Sequence, residues 1–460
     1  RASRPALHKG VLQLMREYIE ARTRTSLNLS KNIVGPGVFT LPAGVGLLVG
    51  DCSNPSLAIS RAAAASVVFG LVCGYSFYLI GEACAKTETT TYRGAWAAAT
   101  RGELPGWLPT VAALAMCSCG SVGSLIVAGN STMDLLSAGF GTPFEEGTRT
   151  LVLAALASTV LLPLCLQDFQ GLAFASLLGT IGTFGTGAFI IGRFADGSYE
   201  PGGAFFEVAK WKPSFCDSGA GSVASSGGIL VFVSMLSNAF SAHYNAPVFL
   251  KDCAPPGTST EDRLESFRYV CTAAFGVSIV TALAILISGY ETFGQSTQWF
   301  MLDNYAAGDP FAIVTRVGLL CSAVTIFPLL FIRLRDDLLE LALSVEGTDE
   351  GGSGTRATAR LLRGGVRKRP DAWSPDLRLG TSVALLAAMV LVAASSASLG
   401  LVNGISGSLG GGFLCYVAPG IISLRLAEKQ EVGSSIVWNA LVFAGVAIGV
   451  LGTYVVITGT

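Results

Sequence analysis

The stretch Ser26–Gly50 constrains the fold most, because it is long and apolar enough to cross a bilayer yet carries Gly35-Pro36-Gly37 in its middle. A membrane-spanning helix needs about 20 mainly apolar residues. Pro36 has no backbone N–H to donate, and the flanking glycines add backbone freedom. Because unpaired backbone groups are very costly in lipid, a break here must be buried in protein or line a watery cavity. The alternative is a kink that serves packing alone.

The composition of the whole chain fits a protein embedded in a bilayer. Of its 460 residues, 51% are hydrophobic and only 13% are charged, and the mean hydropathy is +0.57. Soluble domains carry about 25% charged residues. The net charge of -1 says nothing about a nucleic-acid partner, and because no basic, aromatic-rich face appears, none is expected. We therefore expect an all-α polytopic membrane protein that is a monomer in the lipid bilayer.

The apolar segments of the chain predict eleven transmembrane helices. They are Ser26–Gly50, Leu57–Ala85, Trp107–Leu136, Thr150–Leu166, Gly171–Phe194, Gly228–Leu250, Tyr269–Tyr290, Phe311–Ile332, Leu379–Leu399, Leu401–Leu426 and Ile436–Thr458. This division gives a basic cytosolic tail over residues 1–25 and a membrane domain over 26–460, with a mobile cytosolic loop over 333–376. Most of the 30 Lys and Arg residues then lie on the side of the N-terminus. The positive-inside rule therefore predicts a cytosolic N-terminus and an extracytosolic C-terminus, in a membrane that stays unidentified.

The sixth predicted helix is interrupted as well. Its middle carries several polar residues and a proline: Ser237, Asn238, Ser241, His243, Asn245 and Pro247. Polar side chains at bilayer depth are costly and usually functional. Two interrupted helices, five helices apart, are typical of an inverted repeat of five plus five helices, here followed by one C-terminal helix.

Two interrupted helices offer charges of both signs to one solute. Half-helix N-termini suit a carboxylate, while half-helix C-termini and free carbonyls suit a cation, so a free amino acid fits, although other small charged solutes remain possible. The expected substrate-binding residues are Gly35, Pro36, Gly37, Val38, Ser237, Phe240, Ser241, His243 and Asn245. His243 either accepts a proton or is a neutral imidazole bonded to a neighbouring helix. Phe240 either covers the substrate or belongs to the packing.

Several motifs in order along the chain carry a family resemblance. They are NLSKNIVGPGVFTLP in the first helix, FSAHYNAPVFLKD in the sixth, Gly81-Glu82, Gly289-Tyr290 and Arg335-Asp336 at the ends of the second, seventh and eighth, and Ser406-Gly407-Ser408 in the tenth. Over roughly residues 26–426 the chain resembles the amino acid/auxin permease family of the APC superfamily. The resemblance implies a leucine-transporter-type fold of eleven helices and amino acid transport driven by protons or sodium.

The resemblance also bears on the driving ion. In sodium-coupled members the position matching Lys31 is an Asn that helps to bind the ion, together with a Thr that matches Thr325. A lysine ammonium has three donors and no acceptor, so it cannot bind sodium. Lys31 either takes the place of that ion or extends to the membrane surface. We expect Lys31, Thr325 and Ser322 to couple transport to a proton rather than to sodium, with no other cofactor and no bound metal.

Two classes of function stay open at this point. The first is a secondary amino acid transporter, and the second is a membrane amino acid sensor that signals through its cytosolic segments. A membrane enzyme is disfavoured, because the chain has only 2 His residues and no evident nucleophile beside a base. A disulfide between Cys52 and Cys216 is possible. Asn130 and Asp134 are either part of a gate or ordinary polar contacts.

Overall fold

The structure is a computed structural model that describes residues 4–49, 55–141, 146–166, 173–215, 227–346, 374–395, 398–427 and 432–458. Every extended regular element in these ranges is helical, and the one isolated bridge joins Ser214 to Gly294. The all-α prediction is confirmed for this part of the chain. Cys52 and Cys216 lie outside the described residues, so their pairing stays open.

Seventeen α-helices follow one another along the described ranges, several of them joined end to end. They are α1 Arg4–Ile33, α2 Leu41–Gly46, α3 Pro55–Lys86, α4 Tyr92–Thr100, α5 Leu108–Phe140, α6 Glu146–Leu156, α7 Leu162–Leu166, α8 Ala173–Ala195, α9 Gly228–Ala239, α10 Ala246–Asp252, α11 Thr260–Phe293, α12 Pro310–Glu346, α13 Pro375–Ala394, α14 Leu399–Ile405, α15 Ala418–Leu426, α16 Val432–Ala447 and α17 Thr453–Thr458. Three π-helical stretches connect α6 to α7, α14 to α15, and α16 to α17 without breaking the rods: Ala157–Leu161, Ser406–Val417 and Ile448–Gly452.

Eight helical rods in the described residues are long and apolar enough to cross a membrane. They include α3, α5, α11 and α12, and the continuous rods built from α6–α7, α14–α15 and α16–α17. The protein is therefore an integral, multi-pass membrane protein. The total of eleven spans and the five-plus-five repeat stay predictions.

Helix α1 begins well before the predicted first membrane helix. That membrane helix is predicted to start at Ser26, after a tail over residues 1–25, and one unbroken helix runs from Arg4 to Ile33. The boundary between tail and membrane stays a prediction. The middle of α1 packs against the start of α11 and the residues just before it, where the Tyr18 hydroxyl is 3.1 Å from Thr258 Oγ1 and Arg22 Nη2 donates to Ser266 Oγ over 3.0 Å. We call the side of the bundle that holds the start of α1 the tail side.

Helix α12 corrects the start of the predicted loop over residues 333–376. The helix continues to Glu346, and Arg335 within it is fully buried, where it donates to Cys165 O and Ser382 Oγ. Residues 347–373, the middle of that loop, lie outside the described residues. The part of α12 around Arg335 is thus packed into the bundle.

Helix α12 packs against α5 and α8, and a close backbone contact fixes it beside α8. A Cβ atom at Gly182 of α8 would overlap the carbonyl of Gly318 in α12, so these two helices touch through their backbones. Small residues at such a crossing let membrane helices approach closely. The resulting group of α5, α8 and α12 forms one wall behind the two interrupted helices.

Candidate functional site

The first break lies where the sequence predicts it. Helix α1 ends at Ile33, Gly35 is extended with φ -112° and ψ -171°, and one 3-10 turn over Pro36–Thr40 leads into α2. The Gly35 N–H donates to Ile33 O instead of continuing the α-helical pattern. Pro36 thus starts a new turn, because it needs no backbone N–H partner there.

The second break interrupts the predicted sixth helix. Helix α9 ends at Ala239, and a 3-10 turn over His243–Asn245 precedes α10. Pro247 lies in the first turn of α10, the position at which a helix tolerates proline best. The interruption of both predicted helices is confirmed, whereas the roles of the individual residues stay predictions.

The two breaks face each other at close range. A Cβ atom at Gly37 would lie 3.0 Å from Asn238 Nδ2 and 3.7 Å from Ala239 Cα, so only a glycine allows this approach without a shift. On the tail side of the contact, Asn245 Nδ2 donates to Asn32 Oδ1 over 3.3 Å. The backbone of each interrupted helix therefore borders the other.

A cavity of about 680 Å³ opens between the two breaks and the wall formed by α5 and α12. Its lining is rich in asparagines: Asn28, Asn32, Asn238, Asn245 and Asn403. Asn28 and Asn32 are exposed to solvent, whereas Asn403 is buried. The cavity therefore opens on the tail side and ends near Asn403.

Hydrogen bonds close the cavity on the side away from the tail. Asn238 Nδ2 donates to Asn403 Oδ1 over 3.1 Å, and Asn403 Nδ2 donates to Thr40 Oγ1 over 3.4 Å. These contacts join the turn after the first break to α9 and α14. These hydrogen bonds thus close the cavity at this end, whereas Asn28 and Asn32 are exposed at the tail-side end.

Half of the residues predicted to form the site line this cavity. The sequence prediction and the lining share Lys31, Gly35, Pro36, Gly37, Ser241 and Asn245. Ser241 Oγ is 3.6 Å from Met116 Sδ, which places the second break against α5. The cavity is therefore bordered by polar backbone on one side and by apolar side chains of α5 and α12 on the other.

Four other predicted substrate residues are buried in contacts away from the lining. Val38 and Phe240 pack in the core. Ser237 Oγ is 3.0 Å from the Tyr416 hydroxyl, and His243 Nε2 is 2.8 Å from Ser76 Oγ of α3. This environment matches the alternative weighed for His243, in which the imidazole is bonded to a neighbouring helix.

Ser322 and Thr325 face α8 in this structure. Ser322 Oγ is 3.1 Å from Thr183 Oγ1, and Thr325 Oγ1 donates to Ser322 O over 3.0 Å. A Cβ atom at Gly179 would lie 2.9 Å from Thr325 Oγ1. The two hydroxyls thus form a polar cluster with α8 behind the cavity, and Lys31 lines the cavity itself.

The segment between α11 and α12 carries polar contacts on the side away from the tail. Asn130 Nδ2 donates to Asp303 Oδ2 over 3.1 Å, and Arg316 Nε donates to Asp134 Oδ2 over 2.9 Å. Burial, together with the charge of Asp134, raises the pKa of Asp303 to about 7. Asn130 therefore joins α5 to this segment, and Asp134 joins α5 to α12.

Comparison with known proteins decides the family. A family model described as "Transmembrane amino acid transporter protein" matches residues 21–458, nearly the whole chain. The chain belongs to the transmembrane amino acid transporter family. The resemblance drawn from the sequence motifs is thereby confirmed.

Relatives within this transporter family match over most of their length. The "Sodium-coupled neutral amino acid transporter 7" of Rattus norvegicus is 24% identical over 439 residues, covering 92% of this chain and 83% of the relative. The "Putative sodium-coupled neutral amino acid transporter 11" of Danio rerio is 22% identical over 433 residues, with 93% and 84% covered. The chain therefore spans the greater part of these transporters.

A solved structure shows the same arrangement of helices. The "Inward facing conformation of Mhp1" aligns with a TM-score of 0.51 at 12% identity, covering 95% of this chain and 90% of that one. At this identity the match concerns the fold alone. This member of the amino acid transporter family thus shares its overall fold with Mhp1.

Sequence reasoning missed Asn28, Asn32, Asn403 and Arg333, which also line the cavity. Asn32 could have been predicted to line the cavity, because it is next to Lys31 and close to the predicted first break. Asn403 and Arg333 come from helices distant in sequence. Only the packing of α12 and α14 against the breaks brings them to the site.

Proposed function

We propose that this protein is a secondary active transporter that moves amino acids across a membrane by alternating access around the breaks after α1 and α9. The observation that carries the proposal is the cavity of about 680 Å³ bordered by the backbone of both interrupted helices. Irregular backbone at membrane depth is tolerated where it lines such a cavity. Family membership supports the substrate class.

The amide side chains are the main recognition groups in this proposal. The helices after the breaks, α2 and α10, have only 6 and 7 residues, so their dipoles are short. An asparagine amide offers both donors and acceptors, and can therefore bind a carboxylate or an ammonium group. Asn32, Asn238 and Asn245 beside the breaks are placed to do both.

The side on which the cavity opens indicates the state of the transport cycle that we assign to this structure. With the N-terminus cytosolic, as the distribution of Lys and Arg predicts, the tail side is the cytosolic side. The cavity then opens inward, and the Thr40–Asn403–Asn238 contacts form the closed outer gate. To open outward, the protein must break these contacts. At the same time α1 and α10 must move so that Asn32 and Asn245 are no longer accessible from the tail side.

The coupling ion in this proposal is a proton, and transport does not need sodium. Lys31 supports it, since a cationic side chain at the first break repels sodium and can release and regain a proton as the cavity opens and closes. The names of the two relatives state sodium coupling for those proteins.

Counterflow separates a transporter from an amino acid sensor. Purified protein in vesicles loaded with unlabelled amino acid should accumulate the same labelled amino acid transiently, and vesicles without protein should not. Binding of amino acids without counterflow would contradict transport and favour the sensor.

A further inference from the structure

The charged residues that line the cavity all carry the same sign. Lys31 and Arg333 are cationic, and the lining, which lies wholly within the described residues, contains no Asp or Glu. The asparagines add polarity without net charge. A cleft with low-dielectric walls and fixed charge of one sign concentrates solutes of the opposite sign. The cavity therefore favours groups with negative charge.

Arg333 differs from the three arginines that are buried in the described part of the chain. Arg193, Arg316 and Arg335 each donate hydrogen bonds from Nε and from both terminal nitrogens. Within the described residues, Arg333 makes a hydrogen bond only from Nε, to Asp337 Oδ2 over 2.7 Å. Its two terminal nitrogens thus keep N–H donors available.

The partner of Arg333 lies away from the cavity. The Asp337 side chain is 8% exposed and is absent from the lining, whereas the Arg333 side chain is 45% exposed and belongs to it. The carboxylate of Asp337 therefore holds the guanidinium from behind. The free edge of the guanidinium is accessible from the cavity.

The wall beside Arg333 suits the methylene groups of a substrate side chain. Leu329 and Leu330 precede Arg333 by four and three residues, so they lie on the same face of α12, and all three line the cavity. Met116 of α5 continues this apolar wall toward the breaks. A chain of a few carbons that starts at the breaks would run along this wall and end at Arg333.

We infer that the cavity selects amino acids whose side chain ends in a carboxylate, that Arg333 binds this carboxylate, and that cationic amino acids are excluded. The inference rests on the proposed function, because it assigns the substrate class of the same site. The planar guanidinium can bind a carboxylate through two parallel N–H groups, which lysine cannot do.

Ligand-induced thermal stabilisation of the purified protein measures binding without transport. Glutamate, alanine and lysine are titrated into the wild type, Arg333→Gln and Arg425→Gln. Arg425 is the matched control, because its side chain is also 45% exposed and paired with one carboxylate, that of Glu103, but lies outside the cavity lining. We expect the wild type to respond to glutamate at concentrations at least about tenfold below those needed for lysine.

In Arg333→Gln the preference for glutamate over alanine should fall about tenfold, the effect of losing a charge-assisted hydrogen bond. Arg425→Gln should keep the wild-type preference. Equal responses of the wild type to lysine and glutamate would overturn the inference even if the variant failed to fold, and so would an unchanged preference in Arg333→Gln. Selective binding of glutamate without counterflow would contradict transport but support the inference.

Discussion

At the scale of single residues, the proposed proton coupling rests on Lys31. Its ammonium lines the cavity one turn before the break, where a sodium ion would meet a like charge. Uptake should therefore be equal in sodium and choline buffers at fixed pH, and should rise with a pH gradient. Lys31→Met should lose the response to the gradient, because a thioether cannot carry a proton.

Lys86→Met is the control for this experiment, since Lys86 lies at the end of α3 beside Glu82 and outside the cavity lining. It should keep the wild-type response to pH. Strict dependence on sodium would rule out the role of Lys31, and so would full proton coupling in Lys31→Met.

At the scale of elements, the segment between α11 and α12 should respond to pH through Asp303. The pKa of Asp303 in the folded protein is raised to about 7. Between about pH 4 and pH 7 the folded protein therefore keeps a proton on this carboxyl that the unfolded chain has already released. The stability contributed by this group therefore falls as the pH rises from about 4 to about 7. Asp303→Asn keeps an oxygen that can accept from Asn130 Nδ2 and removes the buried charge.

The melting temperature of Asp303→Asn should exceed that of the wild type by a few degrees at pH 8, with little difference at pH 5. The exposed Glu207, paired with Lys212, provides the control, and Glu207→Gln should differ from the wild type equally at both pH values. A gain in Asp303→Asn that is the same at pH 5 and pH 8 would show that the carboxyl does not titrate in this range.

The elements also show what the sequence could predict. Both breaks follow from local chemistry, because Pro36 and Pro247 need no backbone partner. The start of α1 at Arg4 could not be predicted from the sequence, since hydropathy marks only the part of a helix that lies in the membrane. Pairs such as Arg16 with Glu20 and the contact of Arg22 with Ser266 extend the helix beyond it.

Which polar residues face the cavity depended on packing that the sequence does not reveal. Ser241 and Asn245 line the cavity, while His243 between them is buried against α3. Arg333 and Arg335 look alike in the sequence RLRDD. They point to different sides of α12, since two residues span about 200° of a helix.

At the scale of the whole molecule, the account requires that substrate pass between the two interrupted helices. Gly37 lies where the two breaks meet, since a Cβ atom there would be 3.7 Å from Ala239 Cα and 3.0 Å from Asn238 Nδ2. A leucine there would push the breaks apart and occupy the cavity. Gly276, an exposed glycine of α11 with no atom within 4 Å of its Cβ position, offers a control that disturbs nothing.

The most direct test is amino acid counterflow by Gly37→Leu in vesicles, compared with Gly276→Ala and the wild type at equal amounts of folded protein. The account predicts counterflow close to the wild-type level for Gly276→Ala and a loss of at least about tenfold for Gly37→Leu. Counterflow by Gly37→Leu at the wild-type rate would contradict a path between the two breaks.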